Sequence, residues 1–342
     1  MKAIYFIDSE KVELRDAPLV QPKAGEYLIR ITACGVCGSD FEGFLGKTGR
    51  RIPPMIMGHE CAGVVEQGIP SGKYKVGDQV AVFPKFYCGE CEDCKRGLVN
   101  LCPNAEFLGV MDCDGTMAEY CCAAEKFLIP FEGDDIVAAM AEPAAVAFSA
   151  VNKISAAELK SARNILVVGA GTIGMLVLLW LKYRGAKNVI MSDMSDFRLN
   201  LARELGADAV INPMKSDFVS EISRITDGAM CDFSIEAVGI GATAASSLLA
   251  LRSSGTAIWV GNAEKDITID MQRVVTTQLE IRGSYIYNRE DFDTCVDLLA
   301  RGEINVKPLI SALVPLERGT EAFEMLQNNK DGKVIKIVIT NP

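Results

Sequence analysis

A single histidine, His59, stands in a chain of 342 residues. Multi-histidine metal sites are therefore excluded, and any imidazole chemistry passes through this one ring. Positive charge is also scarce: 35 Lys and Arg face 45 Asp and Glu, a formal net charge of −10. A chain this acidic repels phosphate backbones and anionic lipid surfaces, which argues against nucleic-acid and membrane partners. No internal repeat or low-complexity linker is visible. With 49% hydrophobic and 23% charged residues, disorder, collagen and coiled coil are out. The opening MKAIYFIDSEKVEL reads as a strand and a turn rather than a signal peptide. One uncharged run, the 17 residues 165–181, comes near the length of a membrane span. Its three glycines and charged flanks mark it instead as a buried strand–turn–helix. A cytoplasmic protein is expected.

The length predicts two domains. The first 150 residues are β-rich, with short apolar runs (YLIRITA, GVVEQ, QVAVF) broken by Gly and Pro as in a small barrel. From about residue 151 the rhythm changes to strands NILVVG, NVIMSD, DAVIN, CDFSIEAVG and TAIWVG alternating with helices, the pattern of βαβ units and a parallel sheet. Near Gly283 the alternation ends. Helices over 289–301 and 319–328 and a last strand KVIKIVI are predicted to return to the first domain.

Twelve cysteines need an explanation. Cys88, Cys91, Cys94 and Cys102 form a C-x2-C-x2-C-x7-C cluster, the spacing of a closed tetrahedral zinc site with a structural role. Gly169-Ala170-Gly171-Thr172-Ile173-Gly174 follows a strand and opens a helix, the turn that lets a pyrophosphate approach the backbone at a helix N-terminus. Asp193 lies 19 residues after Gly174, where a carboxylate binds the ribose hydroxyls and repels a 2′-phosphate, favouring NAD over NADP. Arg198 nearby is of the type that tolerates that phosphate. Cys37-Gly38-Ser39-Asp40 and, 22 residues after Cys37, Gly58-His59-Glu60 offer a thiolate and an imidazole for a catalytic zinc with one open position. Glu142, set among alanines in AAMAEPAAVAF, is the expected third ligand, with Glu60 its competitor; a carboxylate there is expensive to bury unless paired or metal-bound. Asp40 is expected to orient His59.

CGSD, GHE, the four-cysteine cluster, GAGTIG and EAVG (236–239) occur in the order of the zinc-dependent medium-chain dehydrogenases, and the resemblance covers essentially the whole chain. After His59-Glu60, Gly63 and Val65 continue that family's pattern. Glu142 in AEP resembles the polyol branch, the sorbitol (L-iditol) and galactitol-1-phosphate dehydrogenases. The resemblance implies an α/β protein of two parts. One is a GroES-like β-barrel catalytic domain, residues 1–150 completed by 286–342; the other is a doubly wound Rossmann domain, 151–285, with the active site in the cleft between them. It implies NAD and two Zn2+ per chain, a homodimer or homotetramer, and oxidation of a secondary hydroxyl of a polyol or polyol phosphate. The implied catalytic residues are Cys37, Ser39, His59, Glu60 and Glu142, with Ser39 the first relay hydroxyl and Glu60 exchanging onto the metal. The cofactor-contacting set is Gly169, Gly171, Thr172, Ile173, Gly174, Asp193, Arg198, Val238 and Gly261.

Two positions depart from sorbitol dehydrogenases: Gly43 replaces a tyrosine and Ile286 an arginine. Lys47, Arg50 and Arg51 form a basic cluster that reads either as a solvated loop or as a clamp for a sugar-alcohol phosphate. Alternative readings are a threonine-type or simple-alcohol dehydrogenase and a nicotinamide-binding redox sensor using Cys121-Cys122.

Overall fold

Apolar runs with no polar alternation form strands that are covered on both faces, and the computed structural model, which describes residues 1–111 and 113–341, shows them so. Asn164–Val168 and Cys231–Glu236 are buried along their whole length. They are the two middle strands of a six-stranded sheet in the spatial order Ala209–Ile211, Asn188–Ser192, Asn164–Val168, Cys231–Glu236, Leu251–Trp259, Glu280–Gly283. Every pairing in this sheet is parallel. The chain runs outward from Asn164–Val168 in one direction, then restarts at Cys231–Glu236 and runs outward in the other. This is the doubly wound arrangement, whose ligand crevice lies where the order reverses. Leu166, Val168, Ile190, Ile211, Ile222, Leu248 and Leu251 pack in the core beside it. The apolar helix Thr172–Tyr183 buries Met175, Leu176, Val177, Leu178, Trp180 and Leu181. Among the described residues no helix is long and apolar enough to cross a membrane.

A seven-stranded sheet is built around Glu26–Gly35, which pairs antiparallel with Glu60–Gln67, Tyr120–Ala124 and Lys336–Thr340. Gln79–Val82 and Leu128–Pro130 extend it on one side, and Ile310–Pro315 on the other. This is the GroES-like part. Its core gathers Ile4, Tyr27, Ile29, Ile31, Met57, Val65, Val80, Phe323 and Ile337.

The chain divides into two compact units. The first is Met1–Glu142, Asn288–Lys330 and the residues from Val334 onward; the second is Pro143–Tyr287 with Asp331–Lys333. The changeover falls at Glu142, at the start of the helix Ala141–Asn152, rather than at residue 150. The three-residue excursion has a local cause. Ser195 Oγ donates to the carbonyl of Asp331, and Arg198 Nε donates to that of Gly332 at 2.9 Å.

Candidate active site and metal centres

Glu26–Gly35 ends two residues before Cys37, which opens the helix Gly38–Phe44. Its partner strand Glu60–Gln67 begins one residue after His59. Antiparallel pairing of Gly35 with Glu60 thus brings together the ends that carry Cys37, His59 and Glu60. The three offer ligand atoms all within 4.8 Å of one another. His59 and Glu60 are buried. Burial, then the charge of Glu60, pushes the Cys37 thiol up to about 11, so without a cation the sulfur stays protonated. A half-buried thiol beside a buried imidazole and carboxylate, all this close, is the donor set of a zinc site, and the residues present fit that ion.

Lys336, which no sequence motif points to, lies against this trio. Its Nζ donates to both Glu60 oxygens at 2.7 and 2.5 Å and to the carbonyl of Val36 at 3.0 Å. Burial alone would pull the ammonium down, but Glu60, Cys37 and Glu142 outweigh it and hold it above the ordinary lysine range. Glu142 is buried at the start of its helix and within electrostatic reach of Lys336. It stands outside the trio, so of the two carboxylates weighed as third ligand the structure groups Glu60 with Cys37 and His59.

Asp40 sits behind the ligands. Its Oδ2 accepts the Cys37 backbone N–H at 3.2 Å, and Oδ1 faces His59 Nδ1 at 3.6 Å, too long for a hydrogen bond. Arg51 Nη2 takes Oδ1 at 2.8 Å and also donates to Ser39 Oγ at 3.1 Å. Burial would raise the Asp40 carboxyl, but His59 and Arg51 hold it below the usual range. Arg51 is therefore neither a solvated loop residue nor a clamp: it is buried, whereas Lys47 and Arg50 are exposed.

The four-cysteine cluster lies in the loop that the paired strands Lys85–Phe86 and Glu106–Phe107 close, on and around the short helix Glu92–Lys95. Cys88 Sγ lies 4.0 Å from Cys94 Sγ and 3.5 Å from Cys102 Sγ, and Cys91 Sγ lies 3.8 Å from Cys102 Sγ. Four sulfurs at about 2.3 Å from one zinc stand about 3.8 Å apart at tetrahedral angles, so the cluster fits the ion. Backbone N–H groups of Glu90 and Cys94 point at Cys88 and Cys91 sulfurs. The Glu90 and Cys91 N–H groups bring Cys88 down to about 6, while burial and then the neighbouring thiols push Cys94 up to about 12. One thiolate forms readily and the full set needs a cation. Cys121 is buried, and burial raises Cys122 to about 11, the opposite of a sensor thiolate.

At the reversal of the parallel sheet, Gly169 adopts φ +96° and Gly171 caps Thr172–Tyr183 without a side-chain hydrogen bond. A Cβ on Gly174 would lie 1.7 Å from the Gly169 carbonyl oxygen, which is why helix and strand approach only with glycine there. Thr172 and Ile173 form the first turn of that helix. Asp193 follows the adjacent strand and accepts the N–H of Ala170 at 2.7 Å and of Ser195 at 2.8 Å. Buried Glu236 fixes the next strand end by accepting the N–H groups of Val238 and Gly239, both at 2.8 Å, and its carbonyl takes the N–H of Gly261. The predicted cofactor residues thus share the carboxyl edge of one sheet.

A fold of this kind with a thiolate–imidazole–carboxylate metal site defines a zinc-dependent dehydrogenase. Residues 23–133 match the alcohol dehydrogenase GroES-like domain and residues 172–301 the zinc-binding dehydrogenase domain. The chain is 36% identical to D-arabitol-phosphate dehydrogenase of Enterococcus avium, over 93% of this chain and 90% of that one. It is 35% identical to L-threonine 3-dehydrogenase of Pyrococcus furiosus, over 94% of each. A zinc-binding dehydrogenase of Sinorhizobium meliloti 1021, solved with NADP bound, superposes with a TM-score of 0.90 at 27% identity, over 99% of each chain. The chain belongs to the zinc-dependent medium-chain dehydrogenase family.

Proposed function

We propose that this oxidoreductase oxidises a secondary hydroxyl of a polyol or polyol phosphate to a ketose, with NAD as acceptor and two zinc ions per chain. The observation that carries the reading is the trio of half-buried Cys37 with buried His59 and Glu60, whose ligand atoms lie within 4.8 Å of one another. Likeness to an arabitol-phosphate dehydrogenase supports the substrate class. When bound, zinc supplies the Lewis acidity that lowers an alcohol's pKa, and NAD supplies the hydride acceptor.

The protein's part is to bind, orient and move a proton. Cys37 and His59 would hold the metal, with Asp40 turned to His59 Nδ1 so that Nε2 would be left for the ion. Glu142 would be the resting third ligand and Glu60 the carboxylate that exchanges with it, since Glu60 now has both oxygens on Lys336 and would leave that buried ammonium unpaired. Ser39 Oγ has one lone pair taken by Arg51, which leaves the other to accept the substrate proton while Ser39 passes its own hydroxyl proton on to water or the cofactor ribose. Cys88, Cys91, Cys94 and Cys102 hold the second, structural zinc. Asp193 favours NAD, since its carboxylate repels a 2′-phosphate. We place the protein in the cytoplasm as a homodimer or homotetramer, as the reduced-thiol metal sites and the family suggest.

A second reading, threonine-type oxidation, is favoured by the likeness to L-threonine 3-dehydrogenase. NADH formation by the zinc-loaded protein across matched polyols, polyol phosphates and L-threonine separates them. Preference for phosphates assigns Lys47 and Arg50 as the anion contacts, now without Arg51. Turnover of L-threonine alone overturns the polyol reading.

A further inference from the structure

Arg51 is an expensive residue in its position. Its side chain is 3% exposed, its partner Asp40 is fully buried, and its Nε has no hydrogen-bond partner. Breaking even from such burial takes good geometry, and an apolar side chain of similar length would fill the same space at lower cost. Room for the guanidinium stem is made at one position. A Cβ on Gly43 would stand 2.4 Å from Arg51 Cγ and 3.3 Å from its Cβ, near the root of the side chain where little can give. Gly43 and Arg51 are thus one feature of the chain.

What this feature reaches is the pair Cys37 and His59. From Nη2 one hydrogen bond runs to Asp40 Oδ1, the oxygen that faces His59 Nδ1, and Asp40 Oδ2 holds the Cys37 backbone N–H. The other contact from Nη2 runs to Ser39 Oγ, whose hydroxyl in turn hydrogen-bonds the Cys37 thiol. His59 Nδ1 is itself buried without a hydrogen-bond partner, poised beside a carboxylate that Arg51 already holds. We propose that Arg51, admitted by Gly43, is a positioning residue for the catalytic metal: a buried cation that locks Asp40 and Ser39 and through them fixes the orientation of His59 and Cys37. This rests on the reading of those two residues as zinc ligands. Groups that orient metal ligands from behind usually set affinity by about 10–100-fold.

The test follows zinc itself. Wild type, Arg51→Met, Arg51→Lys and Gly43→Ala are purified with zinc, counted by mass spectrometry of the metal, and challenged with a chelator; the catalytic ion is then replaced by Co2+ and its visible spectrum recorded. In Arg51→Met one zinc per chain binds about 10–100-fold more weakly while the four-cysteine zinc stays, and the cobalt bands shift. Arg51→Lys recovers part of the affinity, and Gly43→Ala moves the same way as Arg51→Met although its arginine is intact. Wild-type zinc retention and cobalt bands in folded Arg51→Met overturn the proposal, as they do in Gly43→Ala if Arg51→Met does not fold. Equal loss of both zincs in every variant also overturns it, since that is a general destabilisation. A wild-type protein that holds only one zinc sinks the catalytic-site reading itself. Failure to oxidise polyols by a two-zinc wild type leaves the Arg51 result standing.

Discussion

Replacing Lys336 by methionine removes the cation from a carboxylate that has no other escape. Both side chains are almost fully buried, at 2% and 1% exposure, and the ammonium contacts both Glu60 oxygens. Breaking a buried pair from one side costs about 3–5 kcal/mol. For a unit of this size the melting temperature falls by roughly 6–20 °C. The double variant Glu60→Gln/Lys336→Met, with neither charge, recovers most of the loss. Melting followed by circular dichroism at pH 7, with and without added zinc, compares the wild type with both variants. A Lys336→Met protein that melts like the wild type, or a double variant no more stable than Lys336→Met, refutes the reasoning.

Two further outcomes are expected. Asp193→Ser removes the charge at the end of Asn188–Ser192 and shifts the ratio of kcat/KM for NAD over NADP by tenfold or more toward NADP in steady-state assays; an unchanged ratio gives the discrimination to another residue. Cys94→Ser loses one zinc per chain by metal analysis and lowers the melting temperature, because binding energy at a closed site is folding energy; loss of activity at unchanged melting temperature would mean that the two metal roles are assigned the wrong way round.

What could be read before the structure was local. The glycine turn, the four-cysteine spacing and the Cys37 and His59 motifs each lie within a short stretch, and their chemistry is written in residue type and interval. The alternation after residue 151 likewise gave strands and helices in the right order, since buried parallel strands are continuous apolar runs. Lys336 was out of reach because its partner is 276 residues away in sequence. The one available signal was a lysine inside KVIKIVI, a strand whose neighbours are otherwise apolar, where a charge demands a counterion. Arg51 was grouped with Lys47 and Arg50 because adjacency in sequence says nothing about which cation turns inward. Its burial depended on the empty space at Gly43, and that is a fact of packing.

The first unit is assembled from segments that flank the second, and its central strand Glu26–Gly35 is joined on one side by Lys336–Thr340. Synthesis proceeds from the N-terminus, and domains tend to fold as they emerge. The parallel-sheet unit can therefore form around its own strands while the earlier sheet still has an open edge. Until the strand bearing Lys336 arrives, Cys37, His59 and Glu60 stand with a carboxylate that lacks its cation. The order of translation thus gives the nascent chain an interval in which that carboxylate is uncompensated, and a metal ion captured then would meet a different balance of charge from the one it finds in the finished protein.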